Sequence, residues 1–330
     1  MMIIKNLLRP ITERYTNPMN LINFGIMGMN QRNVNYIGRY NKRNLYPLVD
    51  NKLKTKEIAL KNGITTPKLL GVIRNQHDVQ NIVEIIGKHK EFCIKPAQGS
   101  GGKGILVITS STGKSFTKAS GQTINAHDLR RHASNILAGL FSLGGKQDIA
   151  LIEDLIHFDS VFDGYSYEGV PDTRVIVFQG FPIMCMMRLS TAASDGKANL
   201  HQGAVGVGIC VRTGRAVRGV QHNDPIEYHP DTHKDLFKLR VPHWDEVLRL
   251  ASSCYEMSGL GYIGTDIVLD RDKGPMLLEL NARPGLAIQI ANNAGLLPRL
   301  RLIEALPNAK SMSVDEKVEF AKQHFGVFSH

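Results

Sequence analysis

Acidic residues are in short supply in this 330-residue chain: 30 Asp and Glu stand against 40 Lys and Arg, a formal charge of +10. Aromatics are sparse, at 7% with a single Trp. Scattered basic residues with few aromatics between them make neither a binding tail nor a stacking platform, so no nucleic-acid partner is expected. An anionic small molecule or acidic peptide suits the charge better, although a basic surface is compatible with both classes of partner. No apolar run approaches the ~18 residues of a membrane span, and the stretch within Met1 to Pro10 is too short for a secretory core. A cytoplasmic protein with no membrane partner is therefore expected. The four cysteines, Cys93, Cys185, Cys210 and Cys254, are widely spaced inside apolar segments, which suggests reduced core thiols and argues against a disulfide frame or zinc site. Internal repeats and low-complexity tracts are lacking. With 42% apolar residues the chain can bury one large core or two moderate ones.

Two carboxylates and an amide dominate what is present. Tyr262 to Asp270 is apolar and β-branched, Arg271 to Gly274 supplies turn residues, and Pro275 to Asn281 is apolar again. A hairpin folded about Asp272 and Lys273 sets Asp266 opposite Glu279, and Glu279 shares a pleat face with Asn281. Facing acids in an apolar hairpin repel unless a cation lies between them, and oxygen donors of this kind suit Mg²⁺ bridging nucleotide phosphates. The alternative is that the acids sit on the solvated face of an edge hairpin. Arg283 follows at once, where its guanidinium can hold an anion bidentately.

A second pattern lies at Phe92 to Ile108. Gly99-x-Gly101-x-x-Gly104 has the spacing of a dinucleotide fingerprint, but a strand follows where that fingerprint must open a helix. It is not a Walker A loop either, because Gly104 follows Lys103 and Ala97 replaces the first glycine. Strand, glycine loop and strand read instead as a hinged flap whose backbone N–H groups can close over phosphates; an ordinary glycine-rich hairpin is the alternative. Elsewhere, 50–67 reads as a helix with Asp50 as N-cap, Gly63 as stop and Pro67 beyond. Residues 125–141 carry a helical stripe of Leu129, Ala133, Ile136, Leu137 and Leu140. A further helix runs from about Asp245 to Ser258 with Val247, Ala251, Cys254 and Tyr255 inward.

The string Glu279-Leu-Asn281-Ala-Arg283-Pro-Gly285, with Asp266 upstream, closely resembles the metal-binding strand of ATP-grasp ligases. The Lys95 strand before the flap and the Lys52 helix occur in the same order there. The run from Leu45 to Asp50 through Gly71, the Gln98 loop, Asn199-Leu-His201-Gln202-Gly203 and the final hairpin is similar to the alpha-L-glutamate ligase-like branch, related to ribosomal-protein glutamate ligases. The likeness covers roughly residues 25 to 300.

The resemblance implies an α+β ATP-grasp fold, two subdomains gripping a nucleotide, with the usual N-terminal α/β domain truncated or absent. Around a first subdomain at 50–150 and a second at 151–305, the residues themselves read as an Asn-, Arg- and Tyr-rich arm at 1–49 (a helix, then an extended stretch, with a break at Gly25 to Asn30) and a polar tail with one short helix at 306–330. ATP is the implied cofactor, with two Mg²⁺ (Mn²⁺ as a substitute) on Asp266, Glu279 and Asn281. The nucleotide set comprises Lys52, Lys95, the flap Gln98, Gly99, Ser100, Gly101, Gly102, Lys103 and Gly104, the hinge Glu153, Asp154, Leu155 and Ile156, the ribose-side Asp172, and Lys197 and Asn199. Arg188, Arg283 and His201 are the catalytic candidates, His201 as a phosphate donor or base or else a structural histidine. Gln202 stands where glutamate ligases proper have an arginine. The implied reaction joins a carboxylate to an amine through an acyl phosphate, glutamate or another amino acid being added to a peptide or small acceptor; a homo-oligomer is left open. A phosphotransferase or ester-forming ligase on the same scaffold, and a non-catalytic nucleotide-binding protein, are the competing readings.

Overall fold

Two antiparallel sheets organise the chain. The computed structural model describes residues 17–99 and 101–326, so Ser100 of the expected flap lies outside the described residues. The first sheet has the order β1 (Leu69–Ile73), β6 (Ala150–Asp154), β2 (Phe92–Pro96), β3 (Leu106–Ser111), β4 (Ser115–Lys118), β5 (Thr123–Asn125). The second runs β11 (Asp224–Ile226), β10 (Ala216–Gln221), β9 (Val205–Ile209), β8 (Phe181–Leu189), β7 (Asp172–Phe178), β12 (Tyr262–Asp270), β13 (Gly274–Asn281). Its central strands are buried on both faces, which explains apolar runs such as Phe181-Pro-Ile-Met-Cys-Met-Met that show no alternation.

The four longer helices are α1 (Lys52–Lys61), α2 (Ala126–Leu137), α3 (Trp244–Ser258) and α4 (Val314–Phe325). The N-cap of α1 is Asn51, whose side chain accepts the Leu53 and Lys54 amides. Asp50, expected in that role, instead ends the short helix Pro47–Asp50. Asn125 caps α2 in a reciprocal capping box with Asp128. Leu129, Ala133 and Ile136 face the first core as expected, whereas Leu140 lies beyond the helix end and is exposed. On α3, Val247, Ala251 and Cys254 are buried and Tyr255 is only partly so. Helix α4 is twelve residues long, opens on a Ser313–Glu316 capping box, and buries Val318, Ala321 and Phe325 in the larger core.

The described part of the N-terminal arm is helical where an extended stretch was expected. Met29–Gln31, a π-helical turn Arg32–Ile37 and Gly38–Tyr40 run on as one rod. Tyr36 and Tyr40 pack edge-on against Phe178, with centroids 5.8 and 4.8 Å away. Asn41, also buried, donates to the Tyr262 and Ala282 carbonyls (2.7 and 3.1 Å) and accepts the Tyr262 amide (2.8 Å). These residues are too few for a core of their own, and they complete the core of the second sheet.

Candidate active site

A charged row crosses the second sheet. Arg174 on β7 is directly opposite Asp266 on β12, and Asp266 is directly opposite Glu279 on β13. On the other side of β7, Asp172 faces Arg188 of β8. Directly opposed residues share a face, so all five project to one side. The Asp266–Glu279 pairing arises differently from the expected two-residue turn. Asp270 pairs with Gly274 across a three-residue loop, which alone would set Leu278 opposite Asp266; a bulge between Asp266 and Ile267 skips Leu278 and restores Glu279.

Arg174 grips both Asp266 oxygens, Nε to Oδ1 and Nη2 to Oδ2, the latter at 2.7 Å. Arg188 does the same to Asp172 (2.7 and 2.8 Å) and reaches Asp266 Oδ2 with Nη2 at 2.6 Å. Burial would raise the Asp266 carboxyl, but the Arg174 and Arg188 charges outweigh it and hold it below the ordinary range. Burial wins at Asp172, which is pushed up although Arg188 pulls it down; repulsion from Asp266 adds to the rise.

Beside the row lies a second charged group. Glu153 on β6 receives Lys95 of β2 at 2.6 Å and Lys56 of α1 at 3.0 Å, and all three side chains are buried. Burial lowers Lys56 more than Glu153 restores it. At Lys95, burial is outweighed by Glu153 and the ammonium is strengthened, while the two lysines overcome burial to hold the Glu153 carboxyl low. One turn before Lys56, the Lys52 ammonium donates to the Gly99 carbonyl (2.9 Å) and to Glu279 Oε1 (3.3 Å). Five cations, Lys52, Lys56, Lys95, Arg174 and Arg188, thus stand against four acids, Glu153, Asp172, Asp266 and Glu279. Such a surplus suits phosphate.

The flap joins the same region. Its base is pinned by the Gln98 amide on Asp148 (2.9 Å) and a Gly99–Ser142 bridge, and the Gln98 and Lys103 side chains are exposed. Gly104 has φ +77°, and a Cβ there would lie 2.5 Å from the Phe141 ring, so only glycine fits. Gly101 and Gly102 also have positive φ, and a side chain at Gly102 would touch the Lys197 stem. Lys197 itself pairs with Asp195 at 2.8 Å. Asn199 caps the turn Leu200–Gln202 by accepting the His201 amide, and His201 lines a groove with His222, Ala287 and Ile290.

At the hinge, Asp154 pairs with Lys273 (2.7 Å), and Leu155 and Ile156 follow, half-buried. The Glu153 carboxylate lies against both lysines, and its buried Oε1 is left without a hydrogen bond among the described residues. Asn281 Oδ1 accepts the Arg283 amide (2.8 Å), and the Arg283 guanidinium lies over the Tyr46 ring, 5.1 Å from its centroid, not among the acids.

Two partners were missed in the sequence, Arg174 and Lys56. Each carried a signal: Arg174 alternates with Asp172 on one strand face, and Lys56 follows Lys52 at i+4. Among the described residues there is no cluster of three or more His, Cys, Asp or Glu able to hold a metal. Asp266, Glu279 and Asn281 nonetheless supply two carboxylates and an amide oxygen, which fits Mg²⁺ because that ion takes one or two carboxylates and completes its shell with phosphate and water.

The antiparallel sheets and the flap define an ATP-grasp fold. Residues 31–305 match the model of the family described as sugar-transfer associated ATP-grasp, and the chain belongs to that family. The superfamily is the one expected from the motifs; the family's description differs from the glutamate ligase-like branch. A comparison with curated proteins found no match. Among solved structures the chain is similar to a Chryseobacterium gregarium RiPP-associated ATP-grasp ligase in complex with ADP and a leader and core peptide (14% identity, 94% of this chain, 75% of that one, TM-score 0.44). It is similar also to the ATP-grasp ligase PsnB complexed with a minimal precursor (15%, 79% and 60%, 0.43) and to an L-amino acid ligase from Bacillus licheniformis (13%, 75% and 43%, 0.42). The chain thus spans 60% of the PsnB chain and less than half of the amino acid ligase.

Proposed function

We propose that this protein is an ATP-dependent ligase that joins a carboxylate to an amine. The γ-phosphoryl group passes from ATP to the substrate carboxylate, releasing ADP; the amine then attacks the acyl carbon, displaces phosphate and leaves an amide. The observation that carries this reading is the five-cation, four-acid constellation at the mouth of the glycine flap. It offers fixed positive charge for the phosphates, and the reaction requires no covalent nucleophile. Lys52, Lys56 and Lys95 would bind phosphate oxygens, and the backbone of 154–156 the adenine. Arg188, whose Nε and Nη2 are taken by Asp172 and Asp266, would offer its Nη1 to the substrate carboxylate, and Arg174 would fix Asp266. Mg²⁺, when bound, would be held by Asp266, Glu279 and Asn281 and would neutralise phosphate charge. Glutamate or another amino acid joined to a peptide or small acceptor follows from the glutamate ligase resemblance alone.

The test is incubation with Mg-ATP and panels of acids and amines, reading ADP release and product mass. An amide with stoichiometric ADP and phosphate supports the ligase. A phosphorylated product without amide transfers the assignment to phosphotransfer, and ATP binding with no turnover on any panel overturns both.

A further inference from the structure

Arg215 and Arg240 face each other across an antiparallel bridge. The bonds that flank it run from Ala216 N to the Leu239 carbonyl (3.0 Å) and from Val241 N to the Gly214 carbonyl (2.9 Å). That pattern is the non-hydrogen-bonded kind of pair, in which Cα atoms stand about 4.5 Å apart and side chains are closest. Like charges so placed repel unless an anion joins them. The bridge lies beyond Ile209 of β9, whereas the charged row adjoins Gly206 at that strand's other end through Arg188. The two sites are therefore separate.

Both arginines are exposed and line a groove of about 750 Å³ with Thr213, Trp244, Arg249 and Lys322. Of the acids in the groove, Asp245 is held by Lys322 at 2.8 Å, and Glu246 stands 3.5 Å from His243 and pairs with neither arginine; at the edge, Asp315 is held by Arg249 at 2.6 Å. Arg212 donates to the carbonyls of Lys322 and Gln323 at the end of α4. Among the described residues no acid neutralises Arg215 or Arg240.

We propose that this groove binds a phosphoryl group between Arg215 and Arg240, at a second anion site distinct from the nucleotide site. A single guanidinium fork already fills a carboxylate, as Arg188 does Asp172. Two forks carried by directly opposed residues and turned to one ligand would need more acceptor oxygens and close to two negative charges, which a phosphoryl group supplies.

Trp244 is the chain's single Trp and lines the groove, with its indole N–H on the Val211 carbonyl at 2.8 Å. Its fluorescence reads occupancy directly. With Mg-ADP present to fill the nucleotide site, the protein would be titrated with pyrophosphate, inorganic phosphate, glycerol phosphate and tetraglutamate. Saturable responses to the phosphates are expected. Arg215→Gln/Arg240→Gln should weaken them at least tenfold with Mg-ADP binding unchanged, and Arg215→Lys, which keeps the charge and loses the fork, should fall between. Tighter binding of glycerol phosphate than of inorganic phosphate identifies an esterified ligand, and the reverse a free ion. Equal affinity in the double variant, or tetraglutamate binding more tightly than pyrophosphate, overturns the proposal.

Discussion

Lys52 on α1 and Glu279 on β13, 227 residues apart, meet in a 3.3 Å ion pair, and the same ammonium holds the carbonyl of Gly99 at the flap base. One side chain thus links the lid over the proposed phosphate site to the strand proposed to carry the metal. The Glu279 side chain is 39% exposed, so the pair contributes little to stability and its value lies in positioning.

Glu279→Gln should therefore leave the melting temperature nearly unchanged while ADP release falls by two or more orders of magnitude, the scale of losing several kcal/mol of transition-state charge stabilisation. Near-normal turnover in Mg²⁺ would remove Glu279 from the metal set. An equally large fall in Lys52→Met with intact Mg-ATP binding would place Lys52 in the reacting state and not in nucleotide capture.

The Lys56–Glu153–Lys95 group sets a different expectation, because it is buried. The folded Glu153 carboxyl is depressed below its ordinary 4.5, so its contribution is present above about pH 4.5 and is lost as pH falls through the lower folded value. Glu153→Gln strands two buried ammonium groups and should cost about 3–5 kcal/mol at neutral pH. Lys56 already has a lowered folded value, so raising the pH toward the ordinary lysine range should restore part of the variant's stability as the ammonium deprotonates. Denaturant titrations across pH would show this. A variant as stable as the parent, with no alkaline recovery, would mean that the lysines are not confined as described.

In the flap, Gly104→Ala forces a Cβ into the Phe141 ring and strains a φ of +77°. The flap should open, raising KM for ATP about tenfold with little change in global melting, since the segment is peripheral to both cores. Adding Phe141→Ala relieves the contact but not the backbone strain, so recovery should be partial. Hydrogen exchange supplies the second readout: Mg-nucleotide should protect the amides of 101–104 in the parent and not in Gly104→Ala.

Much of this site could be read from residue order because strands translate spacing into faces. Asp266, Glu279 and Asn281 needed only a hairpin, and Lys95 with the glycines needed only strand, loop and strand. The register was reached through the wrong turn, since a one-residue longer loop and a bulge at Leu278 cancel, and no local propensity announces such a compensation. Arg174 and Lys56 stayed hidden because their roles depend on which strand or helix lies alongside, a tertiary fact. The arm was misread for the same reason: Tyr36, Tyr40 and Asn41 look polar and loop-like until Phe178 and Tyr262 lie against them.

Asn41 gives the sharpest test of that arm. Its amide satisfies three buried backbone groups, the amide and carbonyl of Tyr262 and the carbonyl of Ala282 next to Asn281. Asn41→Ala orphans all three, and at about 1–3 kcal/mol for a buried unsatisfied group, incompletely additive, a loss of roughly 3 kcal/mol follows. Asn41→Asp keeps the acceptor for the Tyr262 amide but turns a carboxylate oxygen toward two carbonyls, so it should be the worse of the two despite its similar shape. ADP release should drop in both variants, because Ala282 fixes the strand end that presents Asn281. If Asn41→Ala melts like the parent, the arm adds no structural support to the second sheet, and the Tyr36 and Tyr40 contacts are incidental.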